Sequence, residues 1–368
     1  MKNVLLVIRW IVGLLFIFSG LVKANDPLGL SYKMQEFFEV WQLHGFNDYT
    51  LSLSIIMNVF EILAGVAVIV GWRMKLFSWL LLLLIIFFTF LTGYALFSGK
   101  IKTCGCFGDC LPLTPAQSFG KDIFLLVLIL VLLIFNSKIK SALKPAMAVT
   151  VLLIITATAT FGQFYVLKYL PFVDCLPYKK GNNIQEQMKT PAGAVPDSFS
   201  IVFKYKKAGK LLEFDQANFP TDFDSTYEYI DRKDKIVKKG NGLQAKITDF
   251  SLLSLSGNDT TAAVFSQQGN YIMVMAQNMQ HVADWSAGFT KIAETAKQKN
   301  LPVLLVTADG DGAAAHFPNA TITKCDATVL KTAARAVPTY FIMQGATVVA
   351  KTSYADEDKM IEQIKALK

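Results

Sequence analysis

Five long apolar stretches, all within the first 170 residues, constrain this chain more than any other feature. They run over about 4–22, 51–71, 76–97, 123–135 and 146–167. A helix crossing a bilayer needs about 20 mostly apolar residues. The fourth stretch is short but extends back towards Phe119, and the fifth is rich in Thr and Ala. The first carries Arg9 and lacks a small-residue cleavage site, so it reads as a retained span and not as a cleavable signal. Short links between spans one to four predict an antiparallel four-helix bundle over 1–140, with a fifth transmembrane helix over 141–170. Overall the chain is 53% hydrophobic and 17% charged, but residues 178–368 have the composition of an ordinary soluble protein.

Charge placement gives the orientation. Lys2, the pair Arg73 and Lys75, and the trio Lys138, Lys140 and Lys144 predict three inner segments. Residues 23–50, 99–121 and the tail then face outwards, although Lys100, Lys102 and Lys121 run against this trend. The expected location is the inner membrane, with the C-terminal domain in the periplasm and the lipid bilayer as the first partner. The net charge of +8 is scattered, with no basic stripe interleaved with aromatics, so nucleic acid is not an expected partner. Between spans one and two, Phe37, Phe38 and Trp41 recur at helical spacing opposite Glu36 and Glu39. That pattern predicts a short amphipathic helix with its aromatics at headgroup depth.

Two ionisable residues lie at membrane depth. Arg9 is inside the first span and Glu61 near the middle of the second. Both are costly in lipid unless paired or facing a polar interior. Aligning the two spans as antiparallel neighbours puts them roughly 8 Å apart in depth at about 1.5 Å per residue. An internal Arg9–Glu61 ion pair is one expectation, and a polar site beside a redox or substrate cavity is the other. Lys23, Asp26 and Asp122 sit at outer helix ends, where solvated or capping roles are expected.

The loop after the third span reads Cys104-Gly105-Cys106-Phe107-Gly108-Asp109-Cys110. Three of the five cysteines thus fall within seven residues, on the side where disulfides persist. A Cys-x-Cys pair closes only a small, strained and exchangeable ring, and Gly105 relaxes the backbone for it. Cys110 is placed to act as a resolving thiol, and the neighbouring lysines would favour the attacking thiolate. Three readings compete: thiol–disulfide chemistry through Cys104, Cys106 and Cys110, a structural disulfide bracing the loop, and a metal site. The last lacks His and the paired spacing of zinc ligands. Cys175, after the fifth span, is either a partner for the odd loop cysteine or an extra thiol.

Arg9, Gly13, Phe18, Ser19-Gly20, Lys23, Asp26-Pro27, Glu61 with Gly65, the Cys104-Gly105-Cys106-Phe107-Gly108 loop and Asp122 resemble the DoxX superfamily, specifically its MauE-like branch. The resemblance covers about residues 1–140. It implies a role in maturing a disulfide-rich partner, as for the methylamine-utilisation proteins that name the branch. An analogy to quinone-linked disulfide oxidases suggests a quinone as cofactor; the residues themselves make none evident.

Beyond the spans, the Pro, Gly and Asn content of 171–199 reads as a stalk and 200–260 as a small β-rich segment. From 261 to 368 the order β-α-β-α-β-β-α, together with Val337-Pro338-Thr339, resembles the thioredoxin fold and implies a cis bond at Pro338. The Cys-x-x-Cys of that family is missing: Gln277-Asn278-Met279-Gln280-His281 stands in its place, with a lone Cys325 further on. His281 at a helix start reads as an ordinary surface residue. The α/β tail is therefore expected to be redox-inactive and to dock an envelope client or redox partner. The alternative for the whole chain is a non-enzymatic envelope scaffold whose loop cysteines are structural.

Overall fold

The computed structural model describes residues 2–101, 105–195, 198–215, 218–238, 240 and 243–367. Among the described residues, five helices are long and apolar enough to cross a membrane: Lys2–Asn25, His44–Val70, Met74–Ser98, Pro115–Ile134 and Pro145–Tyr169. We label the helices α1 (Lys2–Asn25), α2 (Pro27–Val40), α3 (Thr50–Val70), α4 (Met74–Ser98), α5 (Pro115–Ile134) and α6 (Pro145–Tyr169); a short 3-10 turn leads into α3.

Local sequence explains the helix ends. Gly71 and Gly99 take left-handed conformations at the C-caps of α3 and α4. Pro115 and Pro145 begin α5 and α6, where a missing N–H costs nothing. Thr114 and Gln117 cap α5 reciprocally. The core of the span region joins Val12 and Phe16 of α1, Ala64 and Val68 of α3, Leu81 and Ile85 of α4, Leu125 and Ile129 of α5, and Leu152 of α6. Helices α1 and α3 approach closely: a Cβ on Gly13 would lie 2.7 Å from Gly65 O, and one on Gly65 would lie 2.6 Å from Gly13 O. The fifth span joins them through a buried Asn58–Gln163 hydrogen bond of 2.9 Å. Large apolar side chains such as Leu83, Ile154 and Phe161 stay exposed, as a lipid-facing surface requires.

Two polar expectations change. Arg9 does not pair with Glu61. Its Nε donates to Val68 O at 3.0 Å and its Nη2 to Ile69 O, so it satisfies carbonyls at the C-terminus of α3. Glu61 instead pairs with Lys23. The register decides this: Gly20 meets Ile62, which puts Glu61 near the level of Gly20. Arg9 is about 11 residues away, or roughly 16 Å along the helix. The aromatics at the end of α2 pack against α4 and the residues after it. Phe37 is buried and packs with Ala95 and Ile101, and Trp41 meets Phe90 and Tyr94 of α4.

Residues 182–250 form their own compact unit. It holds α7 (Ile184–Gln187) and a three-stranded antiparallel sheet, β1 (Ser198–Lys207), β2 (Lys210–Asp215) and β3 (Glu228–Lys238), in the order β2-β1-β3. Tyr205, Phe214, Phe219, Phe223 and Tyr227 cluster on it.

The remaining chain, 251–368, clusters with the membrane half as one unit. Its elements are β4 (Leu253–Ser254), α8 (Thr261–Phe265), β5 (Asn270–Ala276), α9 (Ser286–Gln298), β6 (Val303–Thr307), α10 (Gly310–His316), β7 (Thr321–Lys324), α11 (Ala327–Ala333), β8 (Thr339–Gln344), β9 (Thr347–Ser353) and α12 (Glu357–Lys365). They build a six-stranded sheet in the order β4-β7-β6-β5-β8-β9. Strands β5, β6 and β7 run parallel, while β4, β8 and β9 pair antiparallel with their neighbours. Trp285, Phe289 and Ile292 of the α9 region and Met360 and Ile364 of α12 pack in one core with Ile272, Val274, Tyr340 and Ile342 of the sheet. The sequence reading missed α10 and β7. Glycine at two of seven positions masks the first, and the second is only four residues long. The Val337–Pro338 bond, leading into β8, is cis. Part of the segment read as a stalk is packed: Leu176 and Tyr178 are buried, and Gly181 N–H donates to Val348 O at 2.8 Å.

Candidate functional site: the cysteine loop and its cavity

The described part of the loop between α4 and α5 packs against the C-terminal part of α1 and against Lys33 of α2. Gly105 and Gly108 both take positive φ, and Gly108 N–H closes a turn on Gly105 O at 3.0 Å. The turn is tied down on α1: Ser19 Oγ donates to Cys106 O at 3.1 Å, and Phe107 meets Phe18 edge to face at 5.5 Å. Lys121 Nζ lies 5.2 Å from the Phe107 ring centroid. Cys104 lies outside the described residues.

Cys106 is a free, half-buried thiol. It lines a cavity of about 230 Å³ walled by Phe37 and Trp41 of the α2 region, Phe88 and Thr92 of α4, and Lys23. The wall is mostly apolar and aromatic, but Lys23, Lys33 and Lys121 also line it. Lys23 pairs with Glu61, both essentially buried, and sits 4.9 Å from the Phe88 ring centroid. Lys121 pairs with Asp122 at 2.6 Å, and Asp122 also accepts from Thr92 Oγ1 at 3.0 Å. Lys23 and Asp122 are thus buried and paired, not solvated as their helix-end positions suggested. Burial pushes the Cys106 thiol up, and the positive Lys121 only partly offsets it. The expected bias towards thiolate is therefore outweighed by desolvation.

Cys110 is not a free resolving thiol. It forms a disulfide with Cys175, 65 residues away in sequence, with Cα atoms 4.9 Å apart. This joins the loop to the segment that leaves α6. The C-terminal module reaches the same place. Arg335, 4% exposed, bonds both oxygens of Asp26 through Nε at 3.0 and 2.9 Å, and Asp109 Oδ2 through Nη2 at 3.0 Å. Burial works against its charge, but Asp26 and then Asp109 more than offset it and raise its pKa. Lys351 of β9, 5% exposed, donates to Asp174 Oδ2 at 2.8 Å. There burial prevails and lowers the ammonium pKa despite Asp174.

The structure thus gathers Cys106, Cys110 and Cys175 around one loop, while Arg9 lies at the opposite end of α1, beside Gly71. Pro338 opens the strand three residues after Arg335. His281 is exposed at the start of a 3-10 turn, and Cys325 is buried with its thiol pushed up to about 11 by that burial. Sequence reasoning missed Arg335, Lys351, Asp109 and Asp174 as a group. Only Asp26 carried a signal, as a cap before Pro27; its pairing across more than three hundred residues had none.

Residues 1–135 match the family described as methylamine utilisation protein MauE. The MauE match contains Lys23, Glu61, the cysteine loop and Asp122, and it ends before α6. Protein TlpB of Flavobacterium psychrophilum is 31% identical over 137 residues, which are 36% of this chain and 36% of that protein. The similarity therefore spans little more than a third of the curated relative. Residues 199–239 match a domain of unknown function (DUF8463). No solved structure matches.

Proposed function

We propose that the protein is a membrane thiol–disulfide exchange factor that helps mature an envelope partner through its cysteine loop. The observation that carries this reading is a free Cys106 thiol four residues from a formed disulfide, at the mouth of an aromatic cavity. One thiolate of the Cys104/Cys106 pair attacks a client disulfide, giving a mixed disulfide and a client thiolate. The second thiol then displaces the client, leaving a Cys104–Cys106 disulfide and a reduced client; two electrons have passed to the client. Run in reverse, the same steps oxidise it.

In that oxidising direction the electrons need an acceptor. The cavity suits a quinone ring: Phe37, Trp41 and Phe88 offer stacking faces, and Lys23 and Lys121 offer donors for its oxygens. When bound, a quinone would supply two-electron chemistry beside Cys106.

Disulfide Cys110–Cys175 and the basic residues Arg73, Lys75, Lys138, Lys140 and Lys144 at the other end of the spans support a periplasmic loop and module. The parallel β7-β6-β5 core, the antiparallel β8-β9 hairpin and cis-Pro338 support a thioredoxin-like module. Without Cys-x-x-Cys, that module docks proteins and does not exchange electrons.

A second reading, a scaffold with a structural loop disulfide, is favoured by the burial that raises the Cys106 thiol pKa. Replacing one cysteine of the Cys104/Cys106 pair by serine should trap a client mixed disulfide on non-reducing gels. If the double Cys→Ser variant leaves the redox state of envelope proteins unchanged, the scaffold reading stands and the exchange reading falls.

A further inference from the structure

Each cysteine of the Cys110–Cys175 disulfide is preceded by an aspartate, and each aspartate is gripped by a buried cation of the C-terminal module. Asp109 accepts from Arg335 at 3.0 Å and Asp174 from Lys351 at 2.8 Å. Arg335 also holds Asp26, the N-cap of α2, and lies 5.3 Å over the Tyr32 ring. Ser353 Oγ adds a hydrogen bond to Lys168 O, just before the Cys175 segment. The two cations sit on neighbouring parts of one sheet. Arg335 leads into β8, and Lys351 pairs across from Phe341 in the β8–β9 ladder.

We propose that the C-terminal module sets the redox poise of Cys110–Cys175, with Arg335 and Lys351 as positioning residues. It goes beyond the exchange reading above, whose steps run through Cys104 and Cys106 and not through this disulfide. When the disulfide opens, the two thiols sit on segments that only tertiary contacts keep together. A module that holds Asp109 and Asp174 also holds their neighbours Cys110 and Cys175, and so raises the effective concentration of one thiol for the other. The docked module therefore favours the disulfide. By reciprocity, reduction weakens docking by the same factor. A direct pull of the two cations on the thiolates would act the other way. It is the weaker effect, because each cation is already paired with the intervening carboxylate.

The test uses the full chain in phosphatidylcholine nanodiscs, in a Cys104→Ser/Cys106→Ser background so that this disulfide titrates alone. Dithiothreitol supplies two electrons and two protons: the Cys110–Cys175 bond breaks, two thiols form, and the reagent closes to its cyclic disulfide. After acid quench and alkylation, mass spectrometry of the two cysteine peptides gives the oxidised fraction. The Arg335→Met/Lys351→Met double variant should shift the equilibrium with dithiothreitol about tenfold towards the dithiol, equivalent to about 30 mV. Lys291→Met, which breaks an exposed ion pair with Glu357 elsewhere in the module, should not shift it. Reduction of the otherwise unmodified background should raise hydrogen exchange over 335–353 while β5 and β6 stay protected. If the double variant disturbs folding of the module, Asp109→Asn/Asp174→Asn removes the same grip from the other side. A shift below about threefold, with exchange over 335–353 unchanged by reduction, overturns the proposal. Client trapping is scored separately in chains with the loop pair intact, so either idea can fail without the other.

Discussion

Lys23 of α1 and Glu61 of α3 form a buried ion pair, 2% and 0% exposed, and removing one charge should be far worse than removing both. Breaking a buried pair leaves an uncompensated charge, at about 3–5 kcal/mol. The two single variants should differ. Glu61→Gln strands an ammonium that lies two residues from the end of α1 and 4.9 Å from the Phe88 ring. Its long stem can swing towards the interface, and the ring recovers about 0.5–2 kcal/mol, so the lower end of the range applies. Lys23→Met strands a carboxylate in mid-helix on a shorter stem, and the upper end applies. The Lys23→Met/Glu61→Gln double variant should cost less than the two single losses summed, with a coupling of about 3 kcal/mol. Unfolding free energies measured by sodium dodecyl sulfate titration from dodecyl maltoside micelles, followed by circular dichroism, would supply the cycle. A coupling under about 0.5 kcal/mol, or Glu61→Gln proving the more damaging single change, would refute the reasoning.

Three further outcomes are expected. Gly65→Leu should force α1 and α3 apart, since even a Cβ there meets Gly13 O at 2.6 Å, and should destabilise the bundle by about 1–3 kcal/mol in the same titration. Reducing Cys110–Cys175 should lower stability by at most about 4 kcal/mol, the chain-entropy value for its 65-residue separation; the reduced and oxidised unfolding midpoints measure it. Alkylation of Cys106 by iodoacetamide should be slow near pH 8 and rise steeply above the range of an ordinary free thiol, because burial raises its pKa and the thiolate forms only above it. Lys121→Ala should slow it further by removing the opposing charge, whereas rapid alkylation below about pH 7 would show that desolvation is not in control.

The spans were legible because crossing a bilayer demands uninterrupted apolar length, which one sequence displays openly. The cysteine loop was legible because three thiols in seven residues are a local signal. The partners of the charges were not. Arg9 and Glu61 looked like a pair when only their depths could be compared, but the Gly13–Gly65 contact sets a register that gives Glu61 to Lys23 and Arg9 to backbone carbonyls. Strand β7 escaped because its four residues draw their pairing from neighbours and carry little pattern of their own.

The sequence by itself determined where the long apolar helices lie, where a loop gathers its thiols and that a sheet-rich region follows the helices, since each follows from composition over neighbouring residues. The tertiary structure alone decided that Cys110 joins Cys175, that Cys106 stays free over an aromatic cavity, and that Arg335 grips Asp26 and Asp109. Those choices depend on which distant groups are brought within bonding distance and stripped of water together. A buried charge takes whatever counter-charge the packing delivers, and no local pattern encodes that delivery.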